Sequence, residues 1–468
     1  MSGRKKPNKK IAMILAGLLL AAALWGCGSG SGGENAQKPD RQETGPRSME
    51  TAPVLDYEVP VVLPGILVNR IGYEAASYKT AVVRGSSLPA SFRIVNADTG
   101  EVVYTGSLEQ QGYDNQTKEY NSYGDFSALT EEGVYYMECD ILGRSYPFAI
   151  KDSMYAGLME EAAALLDSKR ADLTKGDVLD VCQCISTLLL SYELFAPVYD
   201  AQAAEGKEPP LIGLIRSYAE WLISVQDEQT GAVMAEEETL WEETAWLSAV
   251  LAKFSYTYQK YDSVYATVCL QAADKAWKYL TQKEQLEKEG KTEGGYNEIR
   301  FYAAAELYRA TGRNEYHSVV ISLGKDMIPD ADNVACMFGT LTYASTKRSV
   351  NMDLCARLTK ELLDEAERIA ERAQEDVFST GSSLEEEGLE EILWDMVVVS
   401  AVDYIITNHE YATLIENHLH YLAGTNEAAA CHIFPDGESG GADIGKSCTS
   451  TAEYMMMLSE ILSHKQEE

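Results

Sequence analysis

The chain has 468 residues, with 39 Lys and Arg against 73 Asp and Glu, a formal charge of −34 at neutral pH. That length accommodates two or three domains with cores of their own. The charge excludes nucleic acid and anionic membrane surfaces as natural partners, because their phosphates are repelled, and nine cysteines scattered over so long a chain do not make a small disulfide scaffold.

The first residues read as an address. Arg4, Lys5, Lys6, Lys9 and Lys10 precede an uninterrupted apolar or small run from Ile11 to Leu24. The run is shorter than the roughly 20 residues of a spanning helix and has the form of a signal-peptide core. It closes on Leu24-Trp25-Gly26-Cys27, the pattern of a bacterial lipobox, with the Cys27 thiol as lipid acceptor and a Gly-Ser tether behind it. The expectation is a chain exported and lipid-anchored on the extracellular side of the membrane, at the bacterial cell surface. Without the leader, 34 basic residues face 73 acidic ones, so the exported part carries −39. Residues 28–59, rich in Gly, Ser, Pro, Glu and Gln without apolar periodicity, read as a flexible linker.

From residue 60 to 151 the pattern has period two. Lys79-Thr80-Ala81-Val82-Val83, Ser91-Phe92-Arg93-Ile94-Val95, Glu101-Val102-Val103-Tyr104 and Gly133-Val134-Tyr135-Tyr136-Met137-Glu138 are separated by turn signals such as Asp98-Thr99-Gly100. Short strands at this spacing predict an all-β sandwich.

From residue 152 onward the period becomes helical. Leu214, Tyr218, Trp221 and Val225 share one face, as do Leu247, Leu251, Phe254 and Tyr258, and Ala266, Leu270, Ala273, Trp277 and Leu280. About twelve helices, with no convincing strand, are expected between Met154 and His464. That number, arriving in antiparallel pairs, predicts an all-α toroid of the (α/α)6 type. Cys182 and Cys184, two apart in an apolar helical stretch, suit buried thiols better than a metal site.

Several segments, in order, resemble glycoside hydrolase family 9, the cellulases with an N-terminal immunoglobulin-like domain and an (α/α)6 barrel. In the β domain they are Val68-Asn69-Arg70-Ile71-Gly72-Tyr73, Thr99-Gly100-Glu101-Val102-Val103-Tyr104 and Gly124-Asp125-Phe126-Ser127. In the helical domain they are Thr187 to Phe195, Lys275 to Leu280, Gly294-Gly295-Tyr296-Asn297-Glu298 running on to Gly312, and His420-Tyr421-Leu422-Ala423-Gly424-Thr425-Asn426. The resemblance implies an Ig-like sandwich followed by a six-hairpin barrel. It also implies endo-β-1,4-glucanase chemistry with inversion, a β-glucan as partner and no cofactor. The chain reads as a monomer that binds no nucleic acid.

Inversion requires one carboxyl group to protonate the leaving oxygen and a second to activate water. The family's base stands in a D-A-G-D loop, which this chain lacks; nearby are Arg170-Ala171-Asp172-Leu173 and then Asp177-Val178-Leu179-Asp180. Asp177 and Asp180 are therefore the candidate bases, and the alternative is a helix start with Asp177 as N-cap and Asp180 favoured by the dipole. Where the family has its acid in N-E-x-A-x-x-W-N-A, this chain has Asp443 to Tyr454, and Glu453 is the nearest carboxylate. The alternative is a helix-surface Glu in a first turn capped by Ser450. Trp241 is a candidate sugar platform, with core packing as its alternative; Trp246 reads as core. His432 stands in for the family's His-His-Arg substrate segment, beside Asp436, Glu438 and Asp443. His409, His418 and His420 lie within twelve residues, with Glu416 near the face of two of them, but the usual helical zinc spacing is absent. Surface and capping histidines are expected, and no metal. Three functions remain open: an active hydrolase, a catalytically silent glycan binder, and an envelope interaction protein on the same scaffold.

Overall fold

The computed structural model describes residues 64–114, 118–235, 238–282, 296–330, 333–384, 388–407, 409–433 and 443–464. The leader with Cys27, the linker, Asp436 and Glu438 lie outside them. Among the described residues no helix is long and apolar enough to cross a membrane.

The β domain is built from β1 (Ile66–Leu67), β2 (Thr80–Gly85), β3 (Ser91–Asn96), β4 (Val102–Asp114), β5 (Glu119–Asp125), β6 (Gly133–Cys139), β7 (Gly143–Arg144) and β8 (Phe148–Ile150). The strand order is β1-β2-β5-β4-β3-β6-β7, with β8 also on β6. The long strand β4 joins the two layers. Its first half pairs with β3 and its second half, past an irregularity at Gln110 to Gly112, pairs with β5. Period two sorts the side chains: Ile66, Val68, Ala81 and Val83 enter the sandwich core with Phe92, Ile94, Tyr135 and Phe148. Leu67 and Val82 point the other way, into the core of the helical domain. β2 is thus buried along its whole length.

The helical domain contains α1 (Met154–Lys169), α2 (Val178–Leu194), the short α3 (Ala196–Asp200), α4 (Pro210–Val225), α5 (Trp241–Tyr258), α6 (Ser263–Thr281), α7 (Asn297–Thr311), α8 (Asn314–Gly324), α9 (Val334–Ser345), α10 (Met352–Glu375), α11 (Leu389–Ile406), α12 (Ala412–Leu422) and α13 (Cys448–His464). Without α3 these make six outer–inner pairs among the described residues. The inner helices α2, α5, α7, α9, α11 and α13 are buried almost all round, which is why their sequences are apolar on every face. The outer α10, by contrast, buries only Leu354, Leu358, Leu362, Glu365, Ala366, Ile369 and Ala373, at three- and four-residue spacing. Trp246, Tyr302, Phe338 and Trp394, one from each of α5, α7, α9 and α11, fill the barrel interior with ring centroids 5.5–6.3 Å apart. Helix α9 can approach α7 because residue 339 is glycine: a Cβ there would lie 2.6 Å from the Phe301 ring. A short hairpin, β9 (Val233–Ala235) with β10 (Glu238–Leu240), precedes α5. It was not foreseen, since three residues are too few to display a period.

The two domains are locked together by two of the segments that carry the family resemblance. Asn69 Oδ1 accepts from the N–H groups of Ile71 and Gly72, and its Nδ2 donates to His420 Nδ1 at 3.1 Å. The Arg70 N–H donates to the Ala423 carbonyl, and Arg84 donates to that of Glu427. Gly424 has φ +133°, and a Cβ on it would stand 3.0 Å from the Val68 carbonyl oxygen, so only glycine fits this close approach. Glu74, buried in the β domain, accepts from Ser153 N–H and Tyr155 N–H and so caps α1.

His418 and His420 are not the surface and capping histidines expected. Both are fully enclosed on α12: His418 Nε2 accepts from Gly381 N–H, and His420 Nε2 donates to the Tyr78 carbonyl. Burial pushes both imidazoles down to about 4. Between the ordinary histidine value of about 6.5 and pH 4, the unfolded chain takes up protons that the folded chain refuses, so stability is lost as pH falls through that window. Each histidine is expected to cost up to roughly 3 kcal/mol by pH 4. Asp395, raised to about 6 chiefly by burial, works in the opposite sense. Comparing His420→Gln with the parent cancels that opposing contribution. Urea midpoints of the two proteins should converge from pH 7 to pH 4.5, and a constant gap would show that His420 does not carry the loss.

Candidate functional site

In six outer–inner pairs the N-terminal ends of the inner helices share one rim. Asp180, in the first turn of α2, commits both carboxylate oxygens to α13: Oδ2 accepts from Cys448 N–H and Oδ1 from Thr449 N–H, each at 2.8 Å. A carboxylate there satisfies orphan amide groups and complements the helix dipole. Asp177 does not join it. It closes a capping box with Thr174 one turn earlier, accepting from both the amide and the hydroxyl of that residue at 2.7 Å. The D-x-x-D spacing thus splits into two helix-end functions on different elements.

Glu453 lies in the second turn of α13 and is 6% exposed, so it is not a helix-surface residue. Ser450 does not cap it; Ser447 accepts from Ser450 N–H at 2.9 Å and closes the turn itself. Burial, then Glu390 in the first turn of α11, then Asp180 drive the Glu453 carboxyl well above the usual range. A carboxyl so placed keeps its proton to higher pH than a solvent-exposed one and can donate it. Glu390 is exposed and retains access to solvent.

Glu390 was missed in the sequence because an acidic first turn reads as dipole compensation. The same holds for Glu242 and Glu243 at the head of α5; the Glu242 carboxyl is raised by burial and then by Glu243. The signal that would have found them is topological: acidic first turns on inner helices converge around the mouth of the barrel at one rim, whereas those on outer helices lie at the other end, on its outside.

Trp241 begins α5 but is 4% exposed, with its ring 5.8 Å from that of Tyr279 and tilted 31° to it. Its faces are taken up by protein, which corrects the sugar-platform expectation in favour of core packing. Trp246 is in the barrel core as its helix face indicated. His432 is 8% exposed; its N–H donates to the Leu422 carbonyl and its carbonyl accepts from Ile444 N–H, tying the approach to α13 back to the end of α12. Cys182 and Cys184 are buried thiols whose pKa values burial pushes well up. No disulfide is formed among the described cysteines.

A model of the cellulase N-terminal Ig-like domain matches residues 63–144, and one of glycosyl hydrolase family 9 matches residues 219–437. In order, and in both domains, the chain is similar to the family 9 cellulases. Among its relatives, a cellodextrinase of Butyrivibrio fibrisolvens is 24% identical over 479 residues, 80% of this chain and 85% of that protein. Endoglucanase D of Acetivibrio thermocellus is 24% identical over 395 residues, 66% of this chain and 62% of its own length, so the chain spans less than two thirds of that relative. A metagenome-derived family 9 endoglucanase of known structure superposes with a TM-score of 0.71 at 18% identity, over 85% of this chain and 99% of that one, a likeness of fold. Asp180 and Glu453 both fall outside the residues that the family 9 model matches.

Proposed function

We propose that this chain is an exported, lipid-anchored family 9 hydrolase of β-1,4-glucan that acts with inversion, Glu453 donating the proton and Glu390 activating water. The observation that carries this reading is the buried carboxyl of Glu453, its pKa raised by burial and by Glu390, beside that second, solvent-exposed carboxylate at the barrel rim. Inversion asks for that division: one carboxylic acid kept protonated by its surroundings, and one carboxylate in contact with water. Asp180 is less suited to be the base, because both its oxygens already hold the end of α13. The relatives named cellodextrinase and endoglucanase support a β-1,4-glucan as the substrate class.

One observation favours a second reading, a glycan binder without hydrolysis. The two aspartates nearest the family's base loop, Asp177 and Asp180, are both committed to helix ends. The full chain, incubated with soluble β-1,4-glucans, separates the alternatives. New reducing ends that appear first as the α-anomer support the hydrolase. A shift of tryptophan fluorescence on oligosaccharide addition without new ends supports the binder. Neither response would leave an envelope role on the same scaffold.

The anchor has its own check. Radiolabelled palmitate supplied to cells expressing the chain should enter the parent and be absent from Cys27→Ser; label in both would assign the lipid elsewhere.

A further inference from the structure

At the opposite end of the barrel, four metal-ligating side chains meet. Asp403 comes from the end of α11, His409 from the connection to α12, and Glu460 and His464 from α13. Their donor atoms all lie within 4.8 Å of one another. Asp403 Oδ2 is 3.1 Å from His409 Nδ1 and 3.9 Å from His464 Nε2, and Glu460 Oε1 is 2.8 Å from His464 Nε2. The two imidazoles stand with centroids 4.2 Å apart.

We propose that these four residues form a site for one divalent transition-metal ion of the Zn²⁺ class.

The cluster is more than a meeting of charges. Glu460 is 1% exposed; its Oε1 stands 2.8 Å from His464 Nε2, and its Oε2 accepts no hydrogen bond among the described residues. A buried carboxylate with one oxygen left unsatisfied is costly, and a cation compensates it. Glu460 and His464 are four residues apart and therefore share a helix face. Donor separations of 2.8–3.9 Å bracket the roughly 3.3 Å between ligands of a tetrahedral ion with bonds near 2.0 Å. His409 reaches the cluster from a left-handed backbone conformation, φ +53°, which a residue with a Cβ adopts at a cost. The Asp403 carboxylate is held in orientation: Oδ1 accepts from Tyr411 N–H at 2.9 Å, leaving Oδ2 toward the imidazoles. Two carboxylates and two neutral imidazoles balance a 2+ ion, and nitrogen with oxygen donors favours Zn²⁺, Co²⁺ or Ni²⁺ over Ca²⁺. A hollow of about 380 Å³, walled by Leu194, Phe195, Pro197 and Tyr404, gives the ion a way in. Bound there, the ion ties the last turn of α13 to α11 and to the connection after it.

The test uses the metal-free full chain with Co²⁺ as the spectroscopic probe and Zn²⁺ as competitor. One equivalent of Co²⁺ should bind with the visible bands of four-coordinate nitrogen and oxygen ligation, and Zn²⁺ should displace it and raise Tm. Glu460→Gln and His464→Gln should each weaken binding at least tenfold, while His317→Gln, remote from the cluster, should leave it unchanged. Melting of each metal-free variant reports misfolding, and the isosteric Glu460→Gln carries the test if His464→Gln does not fold. Failure to retain Co²⁺ overturns the proposal. So does undiminished binding in Glu460→Gln, or thiolate-to-cobalt charge transfer, which would assign the ion to cysteines.

Discussion

Glu453→Gln is expected to lower the release of reducing ends from β-1,4-glucan by about 10²- to 10⁴-fold, the range general-acid catalysis contributes, with oligosaccharide binding retained. Gln keeps the size of the side chain and loses the transferable proton. Because the carboxyl is needed in its protonated form and its pKa is raised, activity of the parent should persist above the ordinary carboxylate range and be lost only as pH rises through that elevated value. Stability gives a second readout with a definite sign. A carboxyl whose folded pKa exceeds its unfolded value stabilises the native state less and less as pH rises past the unfolded value of about 4.3. Glu453→Gln removes that loss, so at pH 7 the variant should be at least as stable as the parent while being inactive. An inactive variant that melts lower would point to misfolding, and an active one would remove Glu453 from the mechanism.

Lys253→Met is expected to cost about 3–5 kcal/mol of folding stability, the penalty for breaking a buried ion pair from one side. Lys253 is 1% exposed on α5, with its ammonium 3.5 Å from Glu306 on α7 and 3.7 Å from Glu193 on α2. Glu306 is wholly enclosed and accepts from the hydroxyls of Tyr256 and Thr342 at 2.8 and 2.6 Å. Arg309 also bonds Glu193, so Glu193 keeps a cation when Lys253 is lost, whereas Glu306 keeps none within ion-pair distance among the described residues. Two opposing effects act on Glu193: burial raises its carboxyl, while Lys253 and Arg309 together hold it below the usual value. Adding Glu306→Gln to Lys253→Met should recover much of the loss, since Gln can accept from one hydroxyl, donate its amide N–H to the other, and carries no charge. Urea midpoints of the parent, the single variants and the double variant decide the matter; a cost under about 1 kcal/mol for Lys253→Met would show that the network is solvated.

Secondary structure was legible because its causes are local. Alternation at Gly133–Cys139 follows from side chains pointing to opposite faces of a strand, and the three- and four-residue spacing of α4 and α6 from the helical turn. The motifs shared with the family were legible too, but their work was not: Val68 to Tyr73 and His420 to Asn426 are the two halves of an interdomain lock, some 350 residues apart in the chain. Asp180 shows the same limit. Its sequence neighbours describe the start of α2, whereas its carboxylate serves the end of a helix 268 residues further on.

The order of domains, the type of each main element and the apolar, all-round burial of the inner helices were written in the chain, since those follow from patterning that each segment carries within itself. Which carboxyls lie together was settled by packing. The closed barrel put Glu453 out of water beside Glu390, enclosed Trp241 against Tyr279, and gathered Asp403, His409, Glu460 and His464 from three elements. The protonation state, access and coordination of a side chain depend on its neighbours in space, and those are fixed only when the barrel closes.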